Sequence, residues 1–281
     1  MNTYPLCSGH LIPVIGLGTF TMTPDEAEAA VTNALEVGYR LIDTANAYVN
    51  EKAVGRGLRL SGVNRADIFL ETKLWPTLYQ DETAVDKTLE RLGMDYVDLM
   101  LLHQPAGDYL SGWRLLEQGV RAGKLRSIGL SNFSQGQIQK ILGVCQIRPS
   151  VVQVECHPYY PQDEMRDFLR RQGIVLQAWF PLGHGDKSML EQPVFQNLAQ
   201  KYGKSTAQVI LRWHIQKGNV VIPGARSQPH ILDNLNIFNF ALTGEEMAQI
   251  AGLDRHVPFV THNEDEMDRY LHWELDIDGQ K

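Results

Sequence analysis

Short apolar runs rich in β-branched residues alternate along the chain with longer segments in which apolar positions recur every three or four residues. The short runs predict strands over residues 15–18, 40–43, 68–73, 97–102, 127–130, 151–155, 174–178 and 220–222. The longer segments predict helices. Residues 24–37 carry Ala27, Ala30, Val31 and Ala34 on one face, residues 81–92 carry Val85, Leu89 and Leu92, and a third such segment covers 164–171. Strands that are apolar throughout, with amphipathic helices between them, indicate a parallel sheet covered by helices.

Local signals agree with this alternation. Thr23 and Pro24 open the first helix with a cap and a first-turn proline, Gly38 closes it, and Gly173 ends the helix before the seventh strand. Eight strand–helix units predict the α/β class and a closed (β/α)8 TIM barrel, with an open doubly wound sheet as the alternative that the pattern leaves. An N-terminal β-hairpin is expected over residues 4–13, where Tyr4 to Cys7 and His10 to Pro13 flank Ser8 and Gly9; it would plug the barrel bottom. An extra helix is expected at 206–216. The polar tail 254–281, with scattered Phe259, Tyr270 and Trp273, reads as a long loop with one helical turn. No linker divides the chain, so one domain over 1–281 is expected, its barrel spanning 15–253.

Composition narrows the class. The 281 residues are 43% hydrophobic and 21% charged, as in ordinary soluble proteins, and the formal charge of −7 has no basic cluster. A nucleic-acid partner is therefore not expected. Cys7, Cys145 and Cys156 lie far apart, without metal spacing, which favours a reducing compartment and no bound metal. The first residues have no apolar leader, and no window is apolar enough to span a bilayer. A cytoplasmic monomer with no membrane partner is expected.

The chemistry lies in what ends each apolar run. Three successive runs end in Asp43, Lys73 and His103, spaced 30 residues apart in each step. Later runs end at Ser131 and Asn132, at Gln153 or Glu155, and at Trp179. In a barrel all strand C-termini meet on one face, where active sites are built. Alone, each residue would be a turn cap, a solvated rim charge or a packed ring. Their coincidence, with Tyr48 five residues past Asp43, points to catalysis. A phenol titrates near about 10. A lysine ammonium beside it favours the phenolate, and a carboxylate holds that lysine charged. A histidine can orient a substrate oxygen. Such a set polarises and protonates a carbonyl as hydride arrives, with the hydride coming from a cofactor.

Other chemistries lack their motifs. Gly129-Leu-Ser-Asn-Phe133 misses the second glycine of a nucleophile elbow. No H-E-x-x-H spacing is present, and Gly16-Leu-Gly-Thr-Phe-Thr21 lacks the last glycine of a dinucleotide fingerprint.

These residues resemble the aldo-keto reductases from the hairpin to about Leu253. The matching segments are Gly16-Leu-Gly-Thr19, Gly38-Tyr-Arg-Leu-Ile-Asp-Thr-Ala45 with Tyr48 and Glu51, and Glu71-Thr-Lys-Leu-Trp75. They continue with Asp98-Leu-Met-Leu-Leu-His103, Gly123-Lys-Leu-Arg-Ser-Ile-Gly-Leu-Ser-Asn-Phe133 and Gln153-Val-Glu-Cys-His-Pro158. Bacterial members that reduce methylglyoxal or 2,5-diketo-gluconate look most similar. The resemblance implies reduction of aldehydes and ketones, with Tyr48 as proton donor, Asp43 and Lys73 tuning it and His103 orienting the carbonyl. It implies NADPH along the barrel rim, contacted by Gly18, Thr19, Asp43, Ser131, Asn132, Gln153, Trp179, Leu182, Arg226 and Asn234. Phe20, Trp75 and His103 would line the substrate pocket, and Trp113 would either line it or pack a helix.

Some positions depart from the family. Trp179 stands where Tyr is usual, Phe180 where Ser is frequent, and Gln104 where many members have Trp. Gly224 and Ala225 replace a Lys-Ser pair and His230 replaces an Arg, so Arg226 is the cation left to pair with a 2′-phosphate. NADPH is expected over NADH on that account. The short tail implies an open pocket of broad specificity. Two alternatives stay open on the residues alone: a non-catalytic nucleotide-sensing barrel, and a barrel isomerase or hydrolase using Asp43 and His103.

Overall fold

The computed structural model describes residues 2–280. Strands β1 (Thr3–Pro5) and β2 (Leu11–Pro13) pair antiparallel as the expected hairpin. Gly9 turns it at φ 87°, a conformation that costs a glycine little. The barrel strands are β3 (Leu17–Gly18), β4 (Leu41–Asp43), β5 (Phe69–Leu74), β6 (Leu99–Leu102), β7 (Ile128–Ser131), β8 (Val151–Glu155), β9 (Val175–Trp179) and β10 (Val220–Val221). They lie in chain order, each parallel to the next.

The first and last strands meet. Ile15 bridges to Val221, Gly16 N donates to Val221 O at 2.9 Å and Gly18 N to Pro223 O at 3.2 Å. A Cβ on Gly18 would sit 2.8 Å from Ile222 O, so glycine lets the seam close. Closure leaves no sheet edge and selects the barrel over the open doubly wound alternative.

The first six strand–helix connections carry α1 (Pro24–Glu36), α2 (Glu51–Leu60), α3 (Ala84–Leu92), α4 (Tyr109–Arg121), α5 (Gln135–Val144) and α6 (Asp163–Gln172). Three helices, α7 (Lys187–Leu190), α8 (Pro193–Tyr202) and α9 (Thr206–Gln216), separate β9 from β10, and α10 (Gln228–Leu235), α11 (Gly244–Ala251) and α12 (Glu264–His272) follow. The α1 cap is a full capping box, Thr23 against Glu26.

Period-two alternation divides the strands into two faces. Ile42, Leu70, Met100, Leu130, Val152 and Leu176 pack outward with the helices. Leu41, Phe69, Leu99, Leu101, Val151 and Val220 form a second core together with the hairpin residues Leu6 and Ile12. The hairpin thus seals the lower barrel, as expected. Two residues beyond Leu41, Phe69, Val151 and Val175 the same inward face turns polar at Asp43, Glu71, Gln153 and Gln177, with Lys73 two further along β5, and all five are buried.

The tail departs from expectation. It forms the nine-residue helix α12, capped by Asn263, whose side chain accepts from Glu266 N. Only Tyr270 of this helix is buried. One contact row gives no apolar stripe in the sequence, although the cap and the acidic first turn Glu264–Glu266 were helix signals in their own right.

Candidate active site

Each side chain at the rim gets its position from the strand that carries it. Asp43 ends β4 and Lys73 lies one residue before the end of β5. The Lys73 ammonium is paired with Asp43, and it also donates to Thr44 O at 3.0 Å and to the Tyr48 hydroxyl at 3.1 Å. Tyr48 closes a short 3-10 turn, Asn46–Tyr48, after which Val49 adopts φ 54°. That turn drops the phenol back over the strand ends. His103 follows β6 directly, its ring edge-on to Tyr48 at 5.7 Å and to Trp75 at 5.1 Å.

Lys73 is sealed from solvent. Burial alone would pull its pKa down; the Asp43 carboxylate, with Tyr48 and Glu71, more than reverses this and raises it. Tyr48 corrects the expectation. Desolvation at the pocket floor outweighs the attraction of Lys73, and Asp43 opposes that attraction, so the phenol is pushed up to about 12. His103 is held well below the usual histidine range by burial, then by Lys73 and His262. Near neutrality the site therefore holds a protonated phenol and a neutral imidazole.

These groups face a cavity of about 530 Å³, within the range of small-ligand pockets. Its lining includes Gly18, Phe20, Asp43, Tyr48, Trp75 and His103, and along the other side Ser131, Asn132, Gln153, Trp179, Leu182 and Arg226. Thr19 and Asn234 are not brought to it. Thr19 is fully buried, its hydroxyl spent on Asp43 O at 2.9 Å; Asn234 is buried within α10. Trp113 lies in the core between barrel and helices.

The far side of the cavity has fixed polar geometry. Asn132, at φ 68°, accepts from Trp179 Nε1 at 2.8 Å and donates to Gln104 Oε1 at 3.1 Å. The indole N–H thus locks the Trp179 ring plane against the rim. Ser131 Oγ is buried with no hydrogen-bond partner among the described residues. An orphaned hydroxyl beside Asn132 and Gln153 fits the carboxamide of a nicotinamide, which brings both donors and an acceptor. Arg226 reaches across the opening. It donates to Thr21 O at 2.8 Å and Thr21 Oγ1 at 3.0 Å and pairs with Glu26 at 3.3 Å.

The tail supplies a wall where its short length implied an open pocket. Phe259 N and Val260 N donate to buried Glu155, at 2.6 and 3.0 Å, which pins the tail where it crosses β8. From there Val260, His262, Tyr270 and Trp273 line the cavity. Tyr270 and Trp273 stand edge-on to Trp75 at 5.2 and 5.6 Å. The pocket is walled by aromatics rather than open on that side.

The profile of the "Aldo/keto reductase family" matches residues 14–255. The chain belongs to the aldo/keto reductase family. This aldo/keto reductase is 41% identical over 269 residues to a morphine 6-dehydrogenase of Pseudomonas putida, covering 90% of this chain and 91% of that one. It is 43% identical over 259 residues to a glyoxal reductase of Bacillus subtilis, covering 90% and 93%. The crystal structure of an aldo/keto reductase from Brucella melitensis superposes with a TM-score of 0.86 at 41% identity, covering 90% of this chain and 99% of that one.

As a member of this family, the aldo/keto reductase is an oxidoreductase of the carbonyl-reducing type that uses a nicotinamide cofactor. That sets aside the sensing-barrel and isomerase or hydrolase alternatives. Among the described residues no helix is long and apolar enough to cross a membrane.

Proposed function

We propose that the protein reduces small or activated aldehydes and ketones with NADPH, Tyr48 delivering the proton to the carbonyl oxygen. The observation that carries this reading is the meeting of the Tyr48 hydroxyl with the Lys73 ammonium at 3.1 Å on the floor of the cavity. A bound reduced nicotinamide would supply the hydride. Tyr48 holds its proton at neutral pH, the form that reduction consumes. Lys73 then stabilises the phenolate left behind, and Asp43 keeps Lys73 charged. The neutral His103 offers a ring N–H to the same carbonyl oxygen, which fixes the substrate's direction. Ser131, Asn132 and Gln153 would hold the carboxamide and Trp179 would stack on the ring.

NADPH is favoured over NADH because Arg226 stands at the rim as a planar guanidinium able to grip a phosphate in two places. The preference for small or activated carbonyls is supported by the aromatic rings of Trp75, Tyr270 and Trp273, which wall the cavity on the side of His103. The protein is expected to act as a cytoplasmic monomer, folded as one domain.

The test is turnover of reduced nucleotide with a panel of aldehydes, ketones and dicarbonyls, for the unaltered protein and Tyr48→Phe. The variant should lose at least about a hundredfold in turnover, the scale of a general acid, and still bind NADPH. A rate near that of the unaltered protein would remove Tyr48 from the proton-donor role.

A further inference from the structure

We propose that Glu71 and Gln177, buried beneath the cavity, are positioning residues that dictate which end of the Gln153 amide faces the pocket, making position 153 a hydrogen-bond acceptor. The inference rests on the nicotinamide reading above, since the group it would serve is the carboxamide.

Gln153 lines the cavity, whereas Glu71 and Gln177 do not; both are fully buried. Register explains the meeting: Asp43 pairs with Glu71 across β4 and β5, and Gln153 with Gln177 across β8 and β9. Their side chains all point inward, so four polar groups from four strands share one layer of the barrel. Gln153 Nε2 shares its two hydrogens among three acceptors, Gln177 Oε1 at 2.9 Å, Glu71 Oε1 at 3.2 Å and Asp43 Oδ1 at 3.2 Å. Gln177 Nε2 in turn donates to Glu71 Oε2 at 2.9 Å.

The direction of this chain is not reversible. Turning the Gln153 amide over would set its carbonyl oxygen against Gln177 Oε1, Glu71 Oε1 and Asp43 Oδ1 at once, and a single proton carried by Glu71 could relieve at most one of those contacts. Turning Gln177 over as well would aim its oxygen at Glu71. The two acids therefore set the polarity of both amides, and the carbonyl end of Gln153 is left for the pocket. Burial and the neighbouring Asp43 charge push the Glu71 carboxyl well above the usual range. Each Glu71 oxygen accepts from one glutamine, Oε1 from Gln153 and Oε2 from Gln177. A glutamine at position 71 would instead bring an NH2 group able to donate to Gln153, and the chain could invert.

A nucleotide analogue reads this directly. In the acetylpyridine form of NADPH a methyl group replaces the carboxamide NH2, so it cannot donate to an acceptor at position 153. Dissociation constants for both nucleotides, from quenching of tryptophan fluorescence, are compared in the unaltered protein, Glu71→Gln and the exchange Glu71→Gln with Gln177→Glu. The unaltered protein should prefer NADPH by about tenfold, the worth of one such hydrogen bond. Glu71→Gln should bring the ratio close to one, and the exchange, which returns an acid to the layer, should restore it. Should Glu71→Gln not fold, Gln177→Met removes one acceptor and should lower the ratio in the same direction. An unchanged ratio in Glu71→Gln, or equal weakening of both nucleotides, overturns the proposal alone. Binding of neither nucleotide by the unaltered protein overturns the nicotinamide reading, and this inference with it.

Discussion

The Tyr48 hydroxyl accepts a hydrogen bond from the Lys73 ammonium at 3.1 Å, although the two residues are 25 apart in the chain. The bond does not make the phenol acidic. It offsets part of a desolvation cost that leaves Tyr48 at about 12. A raised pKa on an acid keeps the proton on, so the donor form persists well above neutrality. The reduction rate at saturating substrate should therefore show no Tyr48 limb from neutral pH to within about one unit of that value. A pH–rate profile with a limb near neutrality that disappears in Tyr48→Phe would contradict this.

Lys73 and Asp43 stabilise the fold only as a pair. Lys73→Met leaves the Asp43 carboxylate buried and uncompensated, which costs on the order of 3–5 kcal/mol. Adding Asp43→Asn removes the stranded charge and should return most of that stability without returning turnover. Denaturant melts of the two variants, read beside their activity, check both halves.

Acid should unfold the protein through buried histidines. His214, fully buried with Nε2 3.1 Å from Pro181 O, is lowered from 6.5 to about 3, mainly by burial. His103 is lowered too. For a base whose folded pKa is depressed, the unfolded chain takes the proton first. Stability is then intact above pH 6.5 and is lost as pH falls towards about 3, at roughly 1.4 kcal/mol per pH unit for each such group. Stability measured against pH for His214→Gln should show a shallower slope, by one proton's worth, and an unchanged slope would exclude His214.

Arg226 already has partners in Thr21 and Glu26, so a 2′-phosphate must draw it away from them. Arg226→Ala should weaken NADPH by about tenfold or more, the scale of a charge-assisted hydrogen bond, and NADH by much less. Titrations of both nucleotides check this; equal losses would mean that Arg226 acts only as a strap across the opening.

Much of this was legible in the linear order of residues. The alternation of apolar runs with amphipathic helices predicted the barrel, because each element must bury one face against the next. Asp43, Lys73 and His103 were visible as polar ends on apolar runs, since strand C-termini converge in a barrel. Glu71 and Gln177 were harder to see. Each sits inside a run read as apolar throughout, and only the inward alternation with Lys73 and Trp179 shows that they share the barrel interior. The tail wall was missed because Tyr270 and Trp273 meet Trp75, nearly two hundred positions earlier, and His262 meets Trp179, contacts that leave no local period.

The chain's own order thus determined which elements form, how they follow one another and which residues arrive at the strand ends, because periodicity and capping act over a few residues. Tertiary structure alone decided the protonation of Tyr48 and His103, the polarity of the Gln153 amide and the closure of the pocket by the tail. Those depend on desolvation and on pairings between groups far apart in sequence, and such energies exist only once the barrel has closed around them.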